Sequence, residues 1–149
     1  MSDWQLWSRI QTHAAKAPAR PAYVDVAGGA TLTYGELVDR VTNAPVIDER
    51  RVVLQSKNTL DFAPGFLAAL LQGRSVFTTS PDVPPLELQR AIDRTVSLSP
   101  TSEGELLLCS SGTTGLPKIV RRSRRSLDAV AQAMAEAIGH TPDDRVIAA

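Results

Sequence analysis

Cysteine is scarce in this sequence, with Cys109 the single thiol in 149 residues. One cysteine excludes an intrachain disulfide and fits a reducing compartment. Histidine is nearly as rare. His13 and His140 have no second His, Cys or carboxylate at metal-ligand spacing, so both read as surface or capping residues. Neither sign of charge is in excess, with 16 Lys plus Arg against 16 Asp plus Glu, which argues against bulk nucleic-acid binding. Long apolar runs are missing too. The longest, "FLAALL", falls far short of the roughly 20 residues a membrane-spanning helix needs. The opening "MSDWQLWSRI" lacks the basic and apolar regions of a secretory signal. Repeats, low-complexity tracts and linkers are absent. The expectation is a cytoplasmic protein, with neither membrane nor nucleic acid as a partner.

What is present suits a single globular domain over residues 1–149, with 43% hydrophobic and 21% charged residues. Trp4, Trp7, Ile10 and Ala14 recur at helical spacing, with Asp3 as N-cap, and Pro18 and Pro21 end that helix. "PAYVDVAGGATLTY" reads as a hairpin that turns at Gly28 and Gly29, with Val24 and Val26 alternating against polar neighbours. "TYGELVDRV" opens a short helix whose Thr33 and Glu36 have capping-box spacing. The spacing predicts a strand at "RVVLQS", a helix from "NTLDFAPG" to Gly73 and a strand at "SVFTTS". A helix follows with Leu88, Ile92 and Val96 on its inner face. "ELLLCSS" reads as a buried parallel strand that holds Cys109 in the core. A short strand "KIVRRS", a helix with Leu127, Val130, Met134 and Ile138 in one stripe, and a last strand "DDRVIAA" complete the chain. Strands alternating with helices give an α/β fold with a largely parallel sheet flanked by helices.

Between two of these strands lies "SSGTTGLPK", residues 110–118. Almost nothing in it can pack in a core. Gly112 and Gly115 let the backbone approach a ligand without a Cβ in the way. Successive amides in such turns converge on anions. Ser110, Ser111, Thr113 and Thr114 add hydroxyl donors, and Lys118 adds a positive charge behind the stiffening Pro117. The set suits a polyphosphate better than a neutral ligand. It is not a Walker A loop, because Pro117 rather than glycine precedes the lysine and Ile119 follows it. Nor does its glycine spacing match the dinucleotide fingerprint. A flexible surface loop of turn formers is the plain alternative.

"SSGTTGLPKIV" resembles the phosphate-binding signature of the adenylate-forming superfamily, which comprises acyl- and aryl-CoA synthetases, peptide-synthetase adenylation domains and luciferases. The match runs from Ser110 to Lys118. "PARPAYVDVAGGATLTYGEL", the strand–helix–strand from "RRVVLQS" to "SVFTTSPDVP", and "TPDDRVIAA" resemble family segments in the same order. The resemblance implies the N-terminal part of an AMP-binding domain, with the C-terminal subdomain absent. It implies ATP-dependent activation of a carboxylic acid to an acyl-adenylate, then transfer to CoA or an acyl carrier protein. Ser110, Ser111, Gly112, Thr113, Thr114, Gly115 and Lys118 would hold the β- and γ-phosphates of ATP, with Mg²⁺ sharing the charge.

The sequence also departs from the pattern. Ile119 replaces the common glycine, as in some aryl-acid-activating members, which points toward an aryl acid. Ser123-Arg124 stands where the family often has Thr-His, so a role tied to that histidine does not carry over. The segment before the loop is short. Segments for adenine, ribose, the metal and the catalytic lysine would lie beyond Ala149. The expectation is a fragment, inactive alone, whose partner is the missing C-terminal half and whose uncovered surfaces associate. A non-catalytic partner- or anion-binding module is the alternative. The run Lys118, Arg121, Arg122, Arg124, Arg125 has no interleaved aromatics and reads as a solvated, phosphate-side field. Trp4 and Trp7 read as packing anchors. Asp143 and Asp144 are expected to precede the last strand as caps.

Overall fold

Trp4 and Trp7 are both buried, and they seat helix α1 (Gln5–Lys16) on the body of the protein as expected. The computed structural model describes residues 4–57, 59–99, 101–110, 118–141 and 144–146. Asp3 lies outside them, and the N-cap position of α1 is Trp4, which makes no side-chain cap. The cap comes from far along the chain. Asp128 accepts hydrogen bonds from the amides of Gln5 and Leu6 at 3.2 and 2.9 Å. A carboxylate is favoured there by the orphan amides and the positive end of the helix.

Strands β1 (Pro21–Val24) and β2 (Thr31–Thr33) form the expected antiparallel hairpin. Gly29 takes the left-handed conformation at φ 71°, and Asp25 accepts from the amides of Ala27 and Gly29 within the turn. Val24 and Val26 are exposed, while Ala22 and Leu32 face the core. Helix α2 (Tyr34–Thr42) carries the expected capping box. Thr33 Oγ1 accepts from the Glu36 amide, and Glu36 accepts from the Thr33 amide at 2.8 Å.

A four-stranded sheet follows, in the order β3 (Arg51–Gln55), β4 (Ser75–Thr79), β5 (Glu105–Ser110), β6 (Lys118–Ser123). β3, β4 and β5 are parallel, and β6 is antiparallel to β5. Helix α3 (Phe62–Leu71) links β3 to β4, helix α4 (Pro85–Val96) links β4 to β5, and helix α5 (Arg124–Ile138) follows β6. Gly104, at φ 79°, seats β5 closely, because an added Cβ would lie 2.4 Å from the Leu70 carbonyl oxygen.

Two apolar clusters sandwich the sheet. Val76 joins Leu67, Ala68 and Leu70 of α3, together with Trp4, Trp7, Leu32, Leu37 and Val41. The next residue, Phe77, points the other way and joins Ala91 of α4 and Leu107. Helices α3 and α4 therefore cover opposite faces, although β3, β4 and β5 step in one direction across the sheet. Their two crossovers must differ in hand, so one departs from the usual right-handed rule. Connections that leave neighbouring parallel strands toward opposite faces open a crevice at the carboxyl end of the sheet.

Three expectations need correction. The inner face of α4 runs through Leu88, Ala91, Ile92 and Thr95, and Val96 is 63% exposed. Thr95 can be buried because its hydroxyl donates to the Ile92 carbonyl at 2.7 Å. Residues 144–146 form no strand. The stripe of α5 is mostly uncovered. Leu127 packs on the core, whereas Val130, Met134 and Ile138 are 46%, 56% and 63% exposed.

Candidate functional site

The parallel strands end at Gln55, Thr79 and Ser110 on one side of the sheet. Gln55 Nε2 donates to the Ser80 carbonyl at 3.2 Å and bridges the ends of β3 and β4. Ser56 and Thr59 share a hydroxyl contact at 3.2 Å. Asp61 pairs with Arg40 at 2.8 Å, and Lys57 with Asp82 at 3.6 Å. A shallow cleft lined by Val53, Gln55, Ser56, Thr59, Asp61 and Phe62 opens there.

The hydroxyl-rich stretch leaves from this same end. Ser110 closes β5, Lys118 opens β6, and the two face each other as the last pair of the antiparallel ladder. Ser111, Gly112, Thr113, Thr114, Gly115 and Pro117 lie outside the described residues, so the structure places the mouth of the loop and not its interior. Lys118 is exposed. Ile119 packs on the cluster with Phe77 and Leu107, and strand alternation puts Lys118, Val120 and Arg122 on the opposite face.

Cys109 precedes the mouth and is exposed, which corrects its expected burial. The apolar run "LLLC" dips into the core only as far as Leu107, and Leu108 is again exposed. Partial desolvation raises the Cys109 thiol pKa above its usual value, and the positive charge of Arg94 pulls it partly back. That combination makes a poor nucleophile.

At the other end of the β5–β6 ladder sits an ion pair between a buried carboxylate and a partly exposed arginine that the sequence reading did not single out. Glu105 is 3% exposed. Its Oε2 accepts from Arg121 Nε at 2.7 Å, and its Oε1 accepts from Arg121 Nη2 at 3.0 Å and from Ser75 Oγ at 2.8 Å. Arg121 Nη2 also donates to the Ser99 carbonyl at 2.9 Å. Four segments meet at this forked pair: β4, β5, β6 and the loop after α4. Hydrogen bonding to Glu105 raises the pKa of Arg121 further, so the guanidinium is charged at any working pH. A visible signal existed, namely a carboxylate at the head of an apolar strand with an arginine on the strand that follows.

The remaining candidates are ordinary. His13 stacks obliquely on Tyr34 at 5.2 Å. His140 approaches Asp144 at 3.5 Å, and the Thr141 amide donates to the same carboxylate. Asp144 thus closes a turn after α5 and caps no strand; Asp143 lies outside the described residues. Among the described residues no helix is long and apolar enough to cross a membrane, and no three potential metal ligands gather.

The fold is shared with solved structures. VinN in complex with 3-methylaspartate matches with a TM-score of 0.74 at 17% identity, over 92% of this chain and 52% of that one. VinN in complex with L-aspartate matches with the same TM-score and identity, over 48% of that chain. The inhibitor-bound N-terminal domain of FACL13 from Mycobacterium tuberculosis matches with a TM-score of 0.64 at 19% identity, over 91% of this chain and 47% of that one. The chain spans about half the length of these structures. What is shared is the architecture, an α/β fold with a mostly parallel sheet, over about half of each of those chains. No protein-family model matches the chain, and no curated protein matches it in sequence.

Proposed function

We propose that this chain carries the ATP phosphate loop of an AMP-forming acid–thiol ligase. The carrying observation is the stretch "SSGTTGLPK", which connects β5 and β6 at the carboxyl end of the sheet in an adenylate-forming fold. Ser110, Ser111, Gly112, Thr113, Thr114, Gly115 and Lys118 would grip the β- and γ-phosphates. Oriented amides and hydroxyls supply neutral donors, and Lys118 supplies a point charge. A substrate carboxylate oxygen attacks the α-phosphorus, and the bond to the leaving pyrophosphate breaks. Charge accumulates on that leaving group, where preorganised donors stabilise it and hold it in line with the attack. The acyl-adenylate would then pass its acyl group to a thiol on CoA or a carrier protein. Mg²⁺ would ride on the phosphates and neutralise part of their charge.

The carboxylic acid, on this reading an aryl acid, and the acceptor thiol would bind to the part of the enzyme that this chain does not span. That part is the expected partner, in the cytoplasm. Carboxylate-dependent exchange of pyrophosphate into ATP, measured on the full gene product, tests the reading. Lys118→Ala should slow exchange by about ten- to a hundredfold, the size of one lost charge-assisted hydrogen bond. Exchange at an unchanged rate would remove Lys118 from the role.

A further inference from the structure

We infer that Arg121 is a positioning residue for the phosphate loop, because its pairing with Glu105 selects the β5–β6 register that sets Lys118 opposite Ser110. The inference rests on the reading of the loop given above. In most hairpins a tight turn of two to five residues fixes the register. Here residues 111–117 separate the paired Ser110 and Lys118, too long a connection to dictate it. The apolar pattern is also weak. β6 reads "KIVRRS", with Ile119 in the core and Val120 on the opposite face at 36% exposure. Strand registers are poorly specified when both faces carry similar residues, and a slip of one residue exchanges the faces.

A slip of one residue keeps an aliphatic side chain and an arginine at the same two places. It places Val120 where Ile119 now packs, and Arg122 where Arg121 now reaches Glu105. Lys118 then leaves the ladder and joins the loop. The observed register is held by Arg121 itself, whose fork meets both Glu105 oxygens and the Ser99 carbonyl. The larger Ile119 side chain in the core and Ser123, whose hydroxyl accepts from the Ser126 amide to cap α5, support it. Glu105 is buried and Arg121 is partly exposed; ion pairs with a desolvated partner add little net stability, and register selection is among their best-attested uses.

Cys109 supplies a native reporter. It stands opposite Ile119 in the observed register and would stand opposite Val120 in the slipped one. Directly opposed residues lie within disulfide reach. Ile119→Cys and Val120→Cys are made singly in this chain, in the wild-type, Arg121→Met and Arg122→Met backgrounds, and oxidised. Tripolyphosphate binding is measured by calorimetry on the parent proteins. The expected result is a cross-link at 119 in the wild-type and Arg122→Met backgrounds. In Arg121→Met the cross-link moves to 120, and tripolyphosphate affinity falls about tenfold or more. If Arg121→Met does not fold, Arg121→Lys, which keeps the charge and loses the fork, should cross-link at both positions. A cross-link that stays at 119 in either Arg121 variant, with wild-type affinity or with a loss merely proportional to stability, overturns the inference. Should wild-type protein fail to bind tripolyphosphate, the loop reading falls, while the cross-link position still decides the register.

Discussion

At the scale of single residues, the basic side chains beside the loop separate by the face of β6 they occupy. The arginine run reads in sequence as one basic field. The structure divides it, because Arg121 turns into a buried carboxylate while Lys118 and Arg122 occupy the other face of the strand. Cys109 sits at the mouth, and its thiol is held largely protonated at neutral pH. We expect iodoacetamide to modify Cys109 more slowly than a small free thiol at pH 7.5, with the rate climbing above about pH 8.5. Faster modification than the free thiol would mean that the charge of Arg94 outweighs desolvation. The two strands that flank the loop were legible from their patterning. The exposure of Cys109 was not, because an apolar tetrad looks alike whether a helix covers all of it or only its first half.

At the scale of elements, legibility followed locality. The capping box of α2 joins residues three apart, and it was readable from spacing. Glu36 is held below its ordinary pKa by hydrogen bonds from Thr33. Its folded-state pKa lies below the unfolded value, so this contribution is present above the ordinary carboxylate range and is lost as pH falls through the depressed value. Thr33→Ala should cost about 1 kcal/mol, and in urea melts the deficit of Glu36→Ala, which removes the titrating carboxylate, should shrink in acid. A pH-independent deficit would contradict the box. The cap of α1 joins Asp128 to Gln5 and Leu6, more than a hundred residues away, and no local rule could find it. Asp128→Ala should likewise cost about 1 kcal/mol, read in the same melts, and no change would make the contact incidental. The phase of α4 was misread because apolar rank places Val96 above Thr95. The threonine hydroxyl finds a carbonyl within its own helix and is buried without penalty.

At the scale of the whole molecule, α/β alternation and a largely parallel sheet were both readable, and the sheet order was not, because strand adjacency depends on which way each crossover turns. The helix with the cleanest apolar stripe in the sequence is also the least covered one. Val130, Met134 and Ile138 lie open on α5, and among the described residues β3 and β6 are both edges of the sheet. Open apolar stripes and unpaired edges invite association. Sedimentation of this chain at tens of micromolar should show species larger than a monomer, and Met134→Glu should shift them toward the monomer. A wild-type monomer at that concentration would mean that the stripe is tolerated in water.

The central claim is that the connection between β5 and β6 grips a polyphosphate. Backbone amide chemical shifts, followed as ATP is added to this chain, test it most directly. The account predicts shifts concentrated on residues 110–118, reproduced by tripolyphosphate and not by adenosine. A titration to millimolar ATP that leaves those amides unmoved would contradict it.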